Sequence, residues 1–331
     1  MAKKLTAEEY VRGVLAGDRR VLAKTITLVE SSLPEHRKVA GRVIEMLLPH
    51  SGNSMRVGIT GVPGVGKSVF IETLGTFLTG RGIPVAVLAV DPSSKKSGGS
   101  VLGDKTRMEK LSADPLAYIR PSPSGTTLGG IASKTMETIL VCEAAGFEVV
   151  MVETVGVGQS ETAVASMVDF FLVLVLAGAG DELQGIKKGI LELADAIAVT
   201  KADGDNIENA MRAKQTYEMA FHMLGTPDSI WAPRVFTCSS FTGHGIEDIW
   251  DAIVEHREML TRCGELDARR RKQAGQWMWR LVEEGLRERF LSLPEIKEAL
   301  PEISRRVERG ELTPTAGAHH LLFCLDSRLK V

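Results

Sequence analysis

The segment most clearly suited to chemistry is a glycine-rich turn that follows the apolar residues 55–60. It has the pattern G-x-x-x-x-G-K-S and consists of Gly61, Val62, Pro63, Gly64, Val65, Gly66, Lys67 and Ser68, called the phosphate turn below. A polyphosphate needs backbone N–H groups turned inward, and glycines between a strand and a helix permit this without steric cost. We therefore expect Lys67 to bind the β- and γ-phosphates, Ser68 to bind Mg²⁺, and Val69 to add a further nucleotide contact.

A carboxylate at the end of another apolar run is the natural partner of this turn. Glu153 ends the run 149–153, and an acid delivered to the carboxyl edge of a sheet suits Mg²⁺, which prefers oxygen ligands. We expect Glu153 to bind the metal directly or through water and to take part in catalysis. Gly156 would let a backbone N–H approach the γ-phosphate, because a side chain there would hold the chain away.

A polar segment rich in glycine, residues 91–107, follows the apolar run 85–90. Segments of this kind can become ordered by the γ-phosphate of a bound nucleotide. Asp91 and Asp104 are therefore candidate Mg²⁺ ligands, and Arg107 is a candidate for stabilising charge in the transition state. An alternative for Arg107, an exposed arginine on a helix that begins near Asp104, stays open.

Residues 200–203, called the base turn below, have a pattern that can select a nucleotide base. Asp203 would accept two N–H groups of guanine while the stem of Lys201 lies over the ring. Adenine has an acceptor where guanine donates, and a buried carboxylate left unpaired would discriminate by a factor on the order of 10⁴. The pattern therefore favours GTP over ATP. Thr200 stands where asparagine is commoner, so we expect the loss of an amide that ties this turn to the phosphate turn, and looser nucleotide binding.

A last base contact is predicted after the apolar run 235–238. Ser239, Ser240 and Phe241 follow it and are candidate nucleotide-binding residues. The pair Ser240-Phe241 departs from the more usual Ala-Lys or Ala-Leu, which again puts the affinity for nucleotide in doubt.

Composition narrows the class of protein. The chain has 331 residues, 44% of them hydrophobic, which is ample for a buried core. A net charge of −2 gives the protein no overall positive potential to attract nucleic acid, so we expect no nucleic-acid partner. The first residues include two lysines without an apolar stretch behind them, and the longest apolar run, 170–177, is far shorter than the roughly 20 residues that span a bilayer. We expect a soluble cytoplasmic protein without a membrane partner.

The order of apolar patterns predicts three regions. Residues 1–52 form a helical extension, residues 53–262 alternate short apolar runs with helical patterns, and residues 263–331 form a C-terminal helical arm. Alternation of strands and helices is the signature of βαβ units, so the fold class is α/β, with a doubly wound, mostly parallel sheet and helices added at both ends. The predicted strands are 55–60, 85–90, 117–120, 149–153, 170–176, 196–200 and 235–238.

One face of the C-terminal arm is apolar and needs a partner surface. The residues that share this face are Met278, Leu281, Val282, Leu286 and Phe290. The face either packs back on the same domain or pairs with a second copy across a two-fold axis, and we favour the homodimer. We expect the charged run 269–272, on the same helix, to be a solvated face.

Five longer strings resemble the methylmalonyl-CoA mutase-associated GTPases, the MeaB/ArgK family of P-loop GTPases. The resemblance covers about residues 10–290, and the strings that carry it are 61–68, 89–94, 99–108, 153–162 and 178–189. The last two are close to family-specific, whereas the phosphate turn alone names only a superfamily.

The resemblance implies a GTPase that uses Mg²⁺ and binds an adenosylcobalamin-dependent methylmalonyl-CoA mutase, gating the loading of its cofactor and protecting it from inactivation. It also implies that residues 178–188 form an additional switch that signals the nucleotide state to the mutase. Lys187 in this segment is a candidate for hydrolysis or coupling, with ordinary solvent exposure as the alternative.

Three other functions stay open at this point. A kinase acting on a transport protein would use ATP, against which the base turn argues. A metallochaperone GTPase would need clustered cysteine and histidine, whereas His319 and His320 form an isolated pair. A nucleotide-dependent scaffold with negligible turnover is the third.

Overall fold

The structure is a computed structural model that describes residues 5–31, 33–90, 108–121, 128–154, 159–177, 188–224 and 230–329. The described residues form one seven-stranded sheet in the order β3-β2-β4-β1-β5-β6-β7, and every neighbouring pair is parallel. The strands are β1 (Met55–Gly61), β2 (Val85–Val90), β3 (Ala117–Arg120), β4 (Val149–Thr154), β5 (Phe170–Leu176), β6 (Ala196–Thr200) and β7 (Arg234–Thr237). The predicted doubly wound α/β fold is therefore confirmed.

Helices connect these strands and extend the chain at both ends. They are α1 (Ala7–Leu15), α2 (Arg19–Glu30), α3 (Pro34–Leu47), α4 (Lys67–Thr79), α5 (Glu109–Ala113), α6 (Leu128–Ala144), α7 (Gln159–Ala165), α8 (Lys188–Leu191), α9 (Ile207–Leu224), α10 (Ile246–Arg262), α11 (Glu265–Ser292), α12 (Pro294–Glu308) and α13 (Pro314–Leu329). No helix of the described residues has the length and apolar character required to cross a bilayer.

The central strand β1 shows how the two faces of the sheet are filled. Val57 and Ile59 are buried in the core that also contains residues of α4 and α10. Side chains alternate along a strand, so Gly58 faces the opposite side. A Cβ atom at Gly58 would come within 3.0 Å of Val164 on α7, which means that glycine allows α7 to pack directly on the strand.

Helix α2 is fixed to the edge strand β3. Its N-cap Asp18 accepts hydrogen bonds from the N–H groups of the first helical turn. The Arg19 guanidinium donates to the Ala117 carbonyl at 2.7 Å and also to the Pro115 and Asp114 carbonyls. At the other end of β3, Arg120 pairs with Glu30 at the end of α2. The N-terminal extension therefore covers one edge of the sheet.

Buried ion pairs line the amino edge of the sheet. Arg56 at the start of β1 binds Glu143 of α6, with Nε and Oε1 2.7 Å apart. Asp169, just before β5, accepts the Arg56 N–H at 2.9 Å and pairs with Arg270 of α11 at 2.6 Å. The carboxylate of Asp195, just before β6, accepts a hydrogen bond from the Phe171 N–H of β5 at 2.8 Å. We call this set the amino-edge network.

The expectation of a solvated face for residues 269–272 is only half right. Arg269 donates to the Asp169 carbonyl at 2.6 Å, and Arg270 donates to the Ser54 carbonyl at 2.7 Å as well as to the Asp169 carboxylate. Two of the four charges thus hold α11 to the sheet, while Arg271 and Lys272 are exposed.

The chain divides into two compact units, Met1–Gln273 and Ala274–Val331. The first contains the sheet and the amino-edge network. In the second, Ile296 is the only apolar side chain that is buried among the residues described up to position 324. The domain boundaries predicted at 52/53 and 262/263 stay a prediction.

Candidate nucleotide-binding site

The phosphate turn connects β1 to α4 at the carboxyl edge of the sheet. Gly61 lies against β5, where a Cβ atom would be 2.5 Å from the Leu174 carbonyl oxygen. Gly66 precedes the first residue of α4 and has a left-handed φ of 97°. Both positions favour glycine, one for lack of space and the other for its backbone conformation. The turn delivers Lys67 and Ser68 to the first turn of α4, where a helix N-terminus attracts anions.

Lys67 is bonded to the turn that carries it. Its Nζ donates to the Gly61 carbonyl at 2.7 Å and to the Val62 carbonyl at 3.3 Å. Desolvation by burial lowers the pKa of Lys67, and the charges of Glu153 and Glu161 act in the opposite direction. A half-buried ammonium that donates only to neutral carbonyls in these contacts is well suited to exchange them for phosphate oxygens.

Ser68 and Glu153 lie together, as their predicted roles require. The Ser68 hydroxyl donates to Glu153 Oε1 at 3.1 Å, and Glu153 sits near the end of β4, beside β1. A hydroxyl and a carboxylate are hard oxygen ligands, and Mg²⁺ beside phosphates is commonly held by one or two protein ligands together with water. The pair therefore fits a Mg²⁺ ion. The described residues contain no group of three or more His, Cys, Asp or Glu placed to hold a metal.

The base turn is tied to the phosphate turn, contrary to the expectation for Thr200. The Thr200 hydroxyl is 2.9 Å from the Val65 carbonyl and 3.2 Å from the Val175 carbonyl. It supplies the tie that the missing asparagine amide would have made. Lys201 adds a second link, because its Nζ donates to the Gly64 carbonyl at 3.1 Å, and its backbone has a left-handed φ of 57°.

Asp203 is oriented by the loop after β7, which we call the base loop (residues 239–242). The buried Ser239 hydroxyl donates to Asp203 Oδ2 and accepts the Thr242 N–H at 3.2 Å. The Ser240 carbonyl accepts a hydrogen bond from Thr73 of α4 at 3.2 Å. Phe241 projects into solvent. The base loop therefore contacts both the base turn and the helix that follows the phosphate turn.

The predicted site residues that the structure describes meet at one edge of the sheet. Hydrogen bonds link Glu153 to the phosphate turn, the phosphate turn to the base turn, and the base turn to the base loop. Five other predicted residues lie outside the described part of the chain, namely Asp91, Asp104, Arg107, Gly156 and Lys187.

Two residues at this edge were not predicted as site residues from the sequence. Glu161, in the first turn of α7, is only 2% exposed and its charge acts on Lys67. Thr73 reaches the base loop. An acid that opens a helix after a strand was a usable signal for Glu161, whereas nothing in the spacing pointed to Thr73.

Comparisons with known proteins agree with this geometry. Residues 22–295 match the family model described as methylmalonyl Co-A mutase-associated GTPase MeaB. A probable GTPase of Mycobacterium tuberculosis is 52% identical over 317 residues, which cover 96% of this chain and 94% of that protein. GTPase ArgK of Escherichia coli is 44% identical, over 97% of each chain.

A solved structure described as a LAO/AO transport system kinase superposes with a TM-score of 0.77. It is 38% identical, and the match covers 98% of this chain and 99% of the other. The similarity thus extends over nearly the whole chain in sequence and in structure. With the phosphate turn, Glu153 and the base turn assembled at one edge of a parallel sheet, the chain belongs to the MeaB/ArgK family of P-loop GTPases.

Proposed function

We propose that this protein binds GTP with Mg²⁺ and hydrolyses it to GDP and phosphate. The observation that carries the proposal is the linked set of contacts at the carboxyl edge, in which Lys67 and Ser68 lie at a helix N-terminus and Ser239 orients Asp203. Nucleotide contacts are assigned to residues 61–69, Gly156, Thr200, Lys201, Asp203, Ser239, Ser240 and Phe241.

Hydrolysis would proceed by in-line attack of water on the γ-phosphate. Lys67 and the N–H groups of the phosphate turn hold the charge that develops on the phosphate oxygens. Ser68 and Glu153 would hold Mg²⁺, which would supply positive charge to offset that of the phosphates. Asp91 and Asp104 are proposed as further ligands or water-binding groups of the same ion.

Arg107 and Lys187 are proposed to add positive charge in the transition state. A group of this kind contributes about 10³ to 10⁵ in rate when it is fully engaged. Because both residues belong to segments proposed to act as switches, we infer that turnover is slow for the protein alone and rises when a partner holds the two side chains at the γ-phosphate.

The choice of nucleotide tests the proposal directly. The parent protein is expected to prefer GTP to ATP, and Asp203→Asn should lower GTP affinity by at least about a hundredfold while improving binding of xanthosine triphosphate. Asp205→Asn, which changes an exposed carboxylate two residues later, should leave both affinities unchanged. Titration calorimetry with the three nucleotides measures these effects.

A preference for ATP would overturn the GTPase proposal and favour the alternative, a kinase acting on a transport protein. The name of the 38%-identical solved relative keeps that alternative in view. A kinase would also transfer the phosphoryl group to an acceptor other than water. Thin-layer analysis after incubation with labelled ATP would detect the labelled acceptor.

The partner is proposed to be an adenosylcobalamin-dependent methylmalonyl-CoA mutase. The description of the matching family model supports this choice. In a pull-down with the host mutase, binding should differ between GDP and a non-hydrolysable GTP analogue, and Lys67→Ala should abolish that difference. Binding that ignores the nucleotide would contradict the chaperone role and leave the GTPase proposal intact. We place this pair in the cytoplasm.

A homodimer through the C-terminal arm is also proposed. In the unit Ala274–Val331, Trp279 and Leu286 are 62% and 60% exposed, although Ile296 is the only described apolar side chain buried there. So small a core gives a separate unit little stability, which a second copy would supply. Light scattering should give a dimer for the parent protein and a monomer for Trp279→Glu/Leu286→Glu. Met223→Glu, a charge placed on exposed α9, should leave the dimer intact, and a monomeric parent would contradict the proposal.

A further inference from the structure

Phe241 is the most exposed large apolar side chain of the described residues, with 93% of its surface accessible. It belongs to the base loop, two residues after the serine that orients Asp203. An exposed phenylalanine does not stabilise the fold, because its ring is in contact with water in both the folded and the unfolded chain. The ring therefore adds little to stability, and its surface is accessible to a ligand.

Backbone hydrogen bonds fix the conformation of the base loop that carries the exposed ring. The Ser239 carbonyl accepts the Gly243 N–H at 2.9 Å, and the Ser239 N–H donates to the His244 carbonyl at 3.0 Å. Three residues after the loop, a Cβ atom on Gly245 would lie 2.1 Å from the Thr237 carbonyl oxygen, so two parts of the backbone pass each other at close range. The loop is cross-bonded, and Phe241 is presented from a fixed backbone.

The same bonds keep Phe241 close to the base turn. The Ser239 hydroxyl bonds both to the Asp203 carboxylate and to the Thr242 N–H, so the loop curls around the group that contacts Asp203. Phe241 stands between Ser239 and Thr242, the two residues that this bond joins. A planar base whose edge is bonded to Asp203 would lie beside this loop, which carries the exposed ring of Phe241.

We propose that Phe241 stacks on the guanine ring, opposite the stem of Lys201, and so raises the affinity for guanine nucleotides. Aromatic side chains stack on any nucleobase, because every base has a π-face. Edge recognition by Asp203 would then select the base, while the ring adds affinity without regard to the base edge. The departure from Ala-Lys or Ala-Leu thus strengthens binding. This inference rests on the proposed function.

Substitutions at Phe241 test the inference by GDP affinity in calorimetry. Phe241→Ala should weaken GDP binding about tenfold, in line with the loss measured when base-stacking aromatics are removed elsewhere. Phe241→Leu, which keeps bulk but no π-face, should lose most of that amount. Phe241→Trp should bind as tightly as the parent, and its added fluorescence should be quenched by GDP.

The base-edge variant provides the matched control. In the Asp203→Asn background, Phe241→Ala should also weaken xanthosine diphosphate binding, because a ring stacks on a base whatever the pattern of the base edge. Melting temperatures without nucleotide should be unchanged, since the side chain is exposed.

The outcomes separate this inference from the proposed function. GDP binding by Phe241→Ala within twofold of the parent would overturn the stacking role and leave the GTPase proposal standing. Loss of mutase binding by Phe241→Ala with unchanged GDP affinity would also overturn it, and would assign the ring to a protein interface. A parent protein that binds no guanine nucleotide would overturn the proposed function itself.

Discussion

The two edges of the sheet are both rich in polar groups, but they use them differently. At the amino edge, Arg56 and Glu143 are almost completely buried and meet in a two-pronged ion pair. At the carboxyl edge, Lys67 donates to neutral carbonyls of its own turn, and the Ser68 hydroxyl donates to a carboxylate. The charges of the amino edge are neutralised within the protein, whereas those of the carboxyl edge are held by contacts that a ligand can replace.

This difference separates stability from nucleotide binding. A buried charge deprived of its partner is strongly destabilising, so the amino-edge network should govern whether the chain folds. The carboxyl-edge groups should govern what the folded chain binds. Variants at each edge should therefore have nearly opposite profiles in stability and nucleotide assays.

The largest effect is expected at the amino edge. Glu143→Ala leaves the buried Arg56 guanidinium without its carboxylate and should lower the free energy of unfolding by about 3–5 kcal/mol. Denaturant titration measures this. Glu255→Ala, which breaks a surface pair with Arg234, should cost far less, because water screens an exposed pair. Equal losses for the two variants would remove the distinction drawn between the amino edge and the surface.

Lys67→Ala should give the largest loss of activity. Removing one charge-stabilising donor commonly lowers turnover by about 10² to 10³, and single-turnover GTP hydrolysis measures it. The melting temperature without nucleotide should change little, because burial lowers the pKa of Lys67 and the ammonium is therefore costly to hold in the fold. Lys272→Ala, on the exposed side of α11, is the control. A Lys67→Ala protein that unfolds would show that this edge also carries stability.

Thr200→Val is expected to have a smaller effect. It keeps the shape of the side chain but removes the hydroxyl that donates to the phosphate turn, so GDP affinity should fall by about fivefold, as for one neutral hydrogen bond. Thr200→Ser keeps the hydroxyl and should bind like the parent. Unchanged affinity in Thr200→Val would mean that the tie is unnecessary for binding.

The smallest effect concerns a carboxylate of α6 that belongs to neither edge. Burial raises the pKa of Glu137 above its ordinary value of 4.5, against the opposing charges of Lys134 and Arg37. The folded state thus holds the proton more tightly than the unfolded state, and ionisation costs stability as pH rises above 4.5. Glu137→Gln should therefore be more stable, relative to the parent, at pH 7 than at pH 4.

Glu255 provides a control of opposite sign for that comparison. A hydrogen bond from Arg234 lowers the pKa of Glu255, so its ionised form is favoured in the folded protein. Glu255→Gln should be less stable, relative to the parent, at pH 7 than at pH 4. Denaturant titrations at pH 4 and pH 7 measure the stability of both variants relative to the parent. A change of the same sign for the two variants would contradict this account.

The sheet and most of the carboxyl edge were predictable because their signals are local. Strands buried on both faces read as short apolar runs, and each predicted strand matches the observed one to within one residue at either end. The phosphate turn and the base turn require particular residue types at fixed spacing, so their place at one edge followed from the parallel sheet.

The amino-edge network could not be predicted in the same way. Arg270 pairs with an aspartate 101 positions earlier, and a run of four basic residues has the same pattern whether it faces water or a buried acid. The tie made by Thr200 was missed for a related reason. A hydroxyl replaces an amide only when the acceptor carbonyl lies at the right distance, and that distance is set by the packing of β6 against β5 and the phosphate turn.

The hydrogen bonds between Arg19 of α2 and β3 have a consequence for aggregation. An outer strand with free carbonyls is a template for strands of other molecules, and the Arg19 guanidinium already occupies the first carbonyl of β3. We expect Arg19→Ala to leave the fold intact and to shorten the lag before fibrils form on mild heating, as followed by thioflavin fluorescence. We therefore expect the first residue of α2 to limit the pairing of β3 with strands of other molecules.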